Sequence, residues 1–126
     1  MSLPPDLITY RIPQSHFSSC TVYKQKFDCL NPSPCFVMKG VMAIFSKRDD
    51  KFCGITVAHL FTDQSETYCL VNREGTPIVF FEYRCNKKEM EQDLTCIQIG
   101  EIDAKTQEVI VKTNKIFPEK IHLHRN

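Results

Sequence analysis

Cys35 to Ser46, CFVMKGVMAIFS, runs through the charged cluster KRDDK (Lys47 to Lys51) into KFCGITV (Lys51 to Val57), and this stretch decides the fold. Both apolar runs are rich in β-branched and aromatic residues, and a charged tip separates them, which is how an antiparallel hairpin is written. The same alternation of short apolar runs and turn-forming clusters continues downstream in TYCLVN, PIVFFEYRC, LTCIQIG and EVIVKT. NREGTP (Asn72 to Pro77), with its glycine and proline, and the wholly polar NKKEMEQD (Asn86 to Asp93) supply the breaks. Six runs of this kind predict an all-β antiparallel sandwich or barrel. Only NKKEMEQ and FTDQSE have the composition of a helical turn, and neither carries the 3.6-residue apolar spacing of a long amphipathic helix.

The chain has 126 residues, enough for one domain that buries roughly two-thirds of the surface exposed on unfolding. Residues 1–34 hold five of the seven prolines, so they are expected to form an extended N-terminal arm, with residues 35–126 as a single β-barrel domain. Hydrophobic residues make up 42%, charged residues 25%, and the formal net charge is +1. That balance excludes a disordered tail and the basic footprint of a nucleic-acid-binding protein. The expected partner is therefore a protein or peptide, with no nucleic acid and no membrane.

The opening MSLPPDLITYRIPQ shows no basic region leading into an apolar run, and no segment reaches the length of a membrane span, so the expectation is a cytoplasmic protein. Seven cysteines are many for this length. Bridged, they would suit an exported scaffold, but their number is odd and no C-x-x-C pair occurs, so reduced structural thiols are expected. His122 and His124 alternate in IHLHRN and would share one face of an extended segment, yet two histidines without further ligands make a poor zinc site. No P-loop, G-x-G-x-x-G or HExxH occurs, and no metal or cofactor is expected.

Two residues carry chemistry in combination. His59 stands at the end of the β run CGITVAHLF, and Asp93 opens the alternating run DLTCIQI. Alone, each has an ordinary structural reading, a hydrogen-bonded ring and a strand-start carboxylate. Paired, the carboxylate would orient the imidazole and stabilise its protonated form. GITVAH and DLTCIQI together resemble the histidine and aspartate motifs of chymotrypsin-like (trypsin-fold) peptidases, in which a strand ends Thr-Ala-Ala-His and a later strand opens with Asp-hydrophobe-x-x-hydrophobe. Thr56, Ala58 and His59 match, while Val57 replaces the first alanine. The resemblance spans roughly Phe36 to Thr113. It implies a six-stranded antiparallel barrel like the N-terminal half of that fold, with His59 as general base and Asp93 as its orienting partner.

The resemblance supplies no nucleophile. In that family the attacking serine or cysteine lies in a second barrel, within a glycine-rich segment whose N–H groups also form the oxyanion hole. After Asp93 this chain has no serine, one glycine, Gly100, and one thiol, Cys96, which sits in a plain Thr-Cys-Ile-Gln-Ile alternation. Cys96 therefore reads as a core or strand-face thiol rather than a nucleophile. Losing the nucleophile leaves at most about 10³ to 10⁴-fold acceleration over water, and even that depends on an oxyanion hole absent here. Whether the chain is an enzyme stays open at this point. It is expected to be the His/Asp half of a trypsin-like serine or cysteine peptidase, a fragment or pseudoenzyme inactive alone and open to self-association or to a second barrel in trans. The alternative is a non-catalytic β-barrel that binds a protein or peptide.

Overall fold

Each of the six runs becomes a strand in the computed structural model, which describes residues 7–26, 33–46, 50–113 and 120–124. They are β3 (Cys35–Ser46), β4 (Lys51–Thr56), β5 (Glu66–Val71), β6 (Pro77–Tyr83), β7 (Thr95–Ile102) and β8 (Glu108–Thr113). The tip between β3 and β4, residues 47–49, lies outside the described residues. Asn72 closes the next turn: its Oδ1 accepts the N–H groups of Glu74 and Thr76, and Gly75 takes φ 86°. Of the two segments with helical composition, NKKEMEQ forms the one α-helix among the described residues, α1 (Lys87–Gln92), whereas FTDQSE is an irregular loop leading into β5.

The strand count differs from expectation. Nine strands are described rather than six, because β1 (Ile8–Pro13) and β2 (Cys20–Lys26) arise inside the segment read as an arm, and β9 (His122–His124) pairs in parallel with β3. Averaged over residues 1–34, the prolines conceal two short β runs: four lie outside both strands and Pro13 is the last residue of β1. In β1 the side chains of Ile8, Tyr10 and Ile12 turn inward while Thr9, Arg11 and Pro13 are exposed. β1 also stands at one end of the strand order, where a proline is tolerated.

The strand order is β1-β8-β7-β4-β3-β2-β5-β6, with all of these pairs antiparallel. Within it, β5-β2-β3-β4 is a Greek key: three successive strands form neighbours and the next returns to lie beside the first. Register shifts at Val22/Tyr23, Phe52/Cys53 and Leu70/Val71 bend the strands and curl the sheet into a half-barrel.

Inside the curl lie Phe17, Val22, Met42, Phe52, Tyr68, Leu70, Val79, Ile97, Val109 and Val111, with Tyr10 and Ile12 packed against them. Four residues of the supposed arm, Tyr10, Ile12, Phe17 and Val22, thus help close the core. Tyr23, Phe36, Cys69, Val71 and Phe80 form a second cluster, to which Met38, Ile121 and Leu123 add. The central strands β2 and β5 feed both clusters, so they are buried on two faces and read as continuous rather than alternating apolar runs. Among the described residues no helix is long and apolar enough to cross a membrane.

Candidate active site

β4 ends at Thr56, and the chain turns through Val57 into a 3-10 turn, Ala58–Leu60. Ala58, Leu60 and Phe61 are buried, and Phe61 packs edge-on against Tyr68 and Tyr83 with ring centroids 4.8 and 4.9 Å apart. The carbonyl of Ala58 also accepts the N–H of Phe61 at 2.9 Å and the Cys85 thiol at 3.6 Å. Anchored on both sides by buried residues, the turn has one outward position, and His59 occupies it with its side chain 67% exposed.

Asp93 arrives from the other side. It is the C-terminal cap of α1, in the left-handed conformation (φ 51°, ψ 41°), with its N–H directed to the carbonyls of Glu89 and Met90. A non-glycine residue there is uncommon, aspartate being among the more tolerant. The result is that the sequence pair does meet: the Asp93 carboxylate lies 2.9 Å (Oδ2) and 3.0 Å (Oδ1) from His59 Nδ1. Oδ1 also accepts the His59 backbone N–H at 2.8 Å. An ionised carboxylate only accepts, so Nδ1 carries the proton in the neutral ring and the Nε2 lone pair is left bare. The His59 ring, and then its N–H, hold the Asp93 carboxyl below its ordinary value.

The helix that delivers Asp93 is held by a network the sequence reading overlooks. Asn86 and Glu89 form a capping box: Asn86 Oδ1 accepts the Glu89 N–H at 2.8 Å, and Glu89 Oε1 accepts the Asn86 N–H at 3.1 Å. Glu89 Oε2 accepts the hydroxyl of Tyr83 at 2.8 Å and a short bond from that of buried Thr95. The hydroxyl of Thr95, then the Asn86 N–H, keep the Glu89 carboxyl below its ordinary value, and burial pushes the Tyr83 hydroxyl up to about 12. The spacing Asn86-Lys-Lys-Glu89 is itself the capping-box signature and was available in the sequence.

Exposed apolar side chains also flank the dyad in the chain. The β3–β4 register, continued two residues beyond Ala43↔Ile55, sets Val41 opposite Val57, and the Thr56 hydroxyl donates to the Val41 carbonyl at 2.7 Å. One step beyond Thr56↔Thr95, Leu94 stands opposite Val57. Val41 (69% exposed), Val57 (38%) and Leu94 (50%) therefore occupy neighbouring positions where β3, β4 and β7 run side by side, Val57 just past the end of β4 and Leu94 just before β7, with Met90 one helical turn before Asp93.

Among the described residues no nucleophile is seen bonded to the pair. Cys96 pairs with Ile55 across β4 and is exposed, opposite in facing to buried Thr95, so it is a strand-face thiol. Among the described residues no serine or cysteine side chain is hydrogen-bonded to His59. His122 and His124 share the exposed face of β9, and no group of three or more metal-ligating side chains assembles among the described residues. No family model, curated protein or solved structure matches this chain.

Proposed function

We propose that the chain is the His/Asp-bearing half of a trypsin-like serine or cysteine peptidase, with His59 as general base and Asp93 as its orienting partner. The observation that carries this reading is the two-point grip of one carboxylate on His59, at its N–H and at Nδ1, which leaves the Nε2 lone pair of a largely exposed side chain to serve as the base. Peptide hydrolysis also needs a nucleophile hydrogen-bonded to that base and N–H donors about 3 Å from the developing oxyanion. Those parts come from a second module in trans, and the aliphatic row Val41, Val57 and Leu94 beside the dyad is where such a module seats.

Two measurements test this. Ring ¹⁵N–¹H correlation spectra are expected to place the neutral-form proton of His59 on Nδ1; a proton on Nε2 would remove the base. The chain alone is expected to give no turnover on a broad peptide library and no serine labelling by a fluorophosphonate. Turnover abolished by both Cys96→Ala and His59→Ala, in folded protein, would instead make Cys96 the nucleophile of a one-barrel hydrolase. The same aliphatic row favours one other reading, a non-catalytic module that binds a protein or peptide, for which His59→Ala leaves binding intact while Val57→Lys abolishes it.

A further inference from the structure

We propose that Glu89 is a positioning residue for the His59–Asp93 pair, pinning the chain on both sides of Asp93 so that its carboxylate meets the imidazole. The inference rests on that pair being the working one, and it concerns a residue that touches neither the ring nor any reacting atom. Asp93 sits in a backbone conformation that L-residues rarely adopt, at the end of a six-residue helix too short to persist unaided. Something outside the helix has to hold it.

Glu89 makes every connection required. Its side chain ties the end of β6 through Tyr83, the start of α1 through Asn86, and the start of β7 through Thr95. Its main-chain carbonyl accepts the N–H of Asp93 and, at 3.2 Å, that of Leu94. Residues 93, 94 and 95 are thus all bonded to this one glutamate. A surface helix needs a capping box, but it does not need the glutamate of that box to reach forward to the strand beyond its own C-terminus. That reach fixes where the segment carrying Asp93 can go.

The experiment follows the Asp93 carboxyl in the intact chain through the His59 amide proton, which is bonded to Oδ1 and shifts when the carboxylate protonates. The titratable groups around Asp93 are His59, Glu89 itself, and Cys85, whose thiol is pushed up mainly by burial and in small part by Asp93. In the wild-type chain the transition is expected below the ordinary aspartate value of about 3.9. In Glu89→Ala it is expected to rise by at least half of that depression, because Asp93 leaves the ring. The sign discriminates: if Glu89 acted only as a neighbouring negative charge, its removal would lower the transition.

Thr95→Val replaces the hydroxyl by a methyl at constant volume and is expected to raise the transition too, while Thr95→Ser restores the wild-type value. Should Glu89→Ala not fold, Thr95→Val with its serine rescue carries the test. A wild-type transition in folded Glu89→Ala or in Thr95→Val overturns the positioning role and leaves the pair standing. A wild-type chain whose Asp93 titrates at the ordinary value overturns the pair itself, and this proposal with it.

Discussion

At the scale of single residues, one carboxylate serves two donors on one neighbour, and that sets what a substitution does. Asparagine at position 93 keeps one acceptor oxygen but turns an N–H₂ group toward the other donor. With the His59 N–H still taking the oxygen, ring Nδ1 meets an N–H₂ donor in place of Oδ2 at 2.9 Å and keeps only the 3.0 Å contact to an oxygen already accepting a bond, so Asp93→Asn is expected to move the neutral-form proton to Nε2. Ring ¹⁵N chemical shifts decide this; an unchanged Nδ1–H tautomer would mean that Asp93 does not choose it. Acid has a related effect. Asp93, Glu89, Glu66 and Asp103 all have carboxyls held below their ordinary values, so each contributes stability that is complete above the unfolded-state range and is lost as pH falls through its folded value. Melting temperature is therefore expected to be flat near neutrality and to fall on acidification below about pH 4. Thr95→Val, which strips Glu89 of its leading stabilising bond, should fall less steeply. A melting temperature that rises on the same acidification would contradict the sign.

At the scale of elements, β7 passes so close to β8 that a side chain on Gly100 has nowhere to go. An added Cβ would meet the backbone carbonyl of Ile110 and, at 3.1 Å, Val109 Cγ1. A backbone atom yields only by parting the two strands, so Gly100→Ala is expected to cost about 1–3 kcal/mol, measured by urea unfolding. Gly40 is the useful contrast, because its added Cβ meets the Leu60 methyl ends at 2.9 and 3.0 Å, and a rotamer change relieves that. If both alanine variants unfold alike, the close β7–β8 approach is not what Gly100 serves. These strands were legible because each is a bounded apolar run. β1 and β2 were not, since prolines at 4, 5, 32 and 34 dominate the composition around them while lying outside both strands. β9 was illegible for another reason: three residues carry no period, and pairing with β3 alone makes them a strand. The site divides similarly. His59 and Asp93 announce themselves at strand ends, whereas Glu89 is one charge in a polar run until the fold brings Tyr83 and Thr95 to it.

At the scale of the whole molecule, the curl of the sheet sorts the six described cysteines: Cys20, Cys35, Cys53, Cys69 and Cys85 are buried and Cys96 is exposed. Burial pushes the Cys20 thiol up to about 11 and that of Cys69 up to about 12, which removes the reactive thiolate as well as access. In a native-state count with a thiol reagent, Cys96→Ala is expected to delete one reactive thiol and Cys69→Ala none; equal losses would mean that the interior is open to the reagent. The same inside-outside division governs association. With Tyr10, Ile12 and Phe17 already packed on the core, the bare apolar surface beside the dyad is reduced to Val41, Val57, Leu94 and Met90. Four apolar side chains supply only part of the roughly 800 Å² per partner that a stable interface buries, so a second module seated there must also cover the polar surface around the row. Copies of this chain are accordingly expected to sediment as monomers at micromolar concentration. Val41→Lys combined with Leu94→Lys is expected to change stability by no more than about 0.5 kcal/mol per site, since both side chains keep half or more of their surface in solvent on folding. A stable dimer that this double variant dissolves would show that the row pairs copies of the chain with each other, and would take that surface away from a second module.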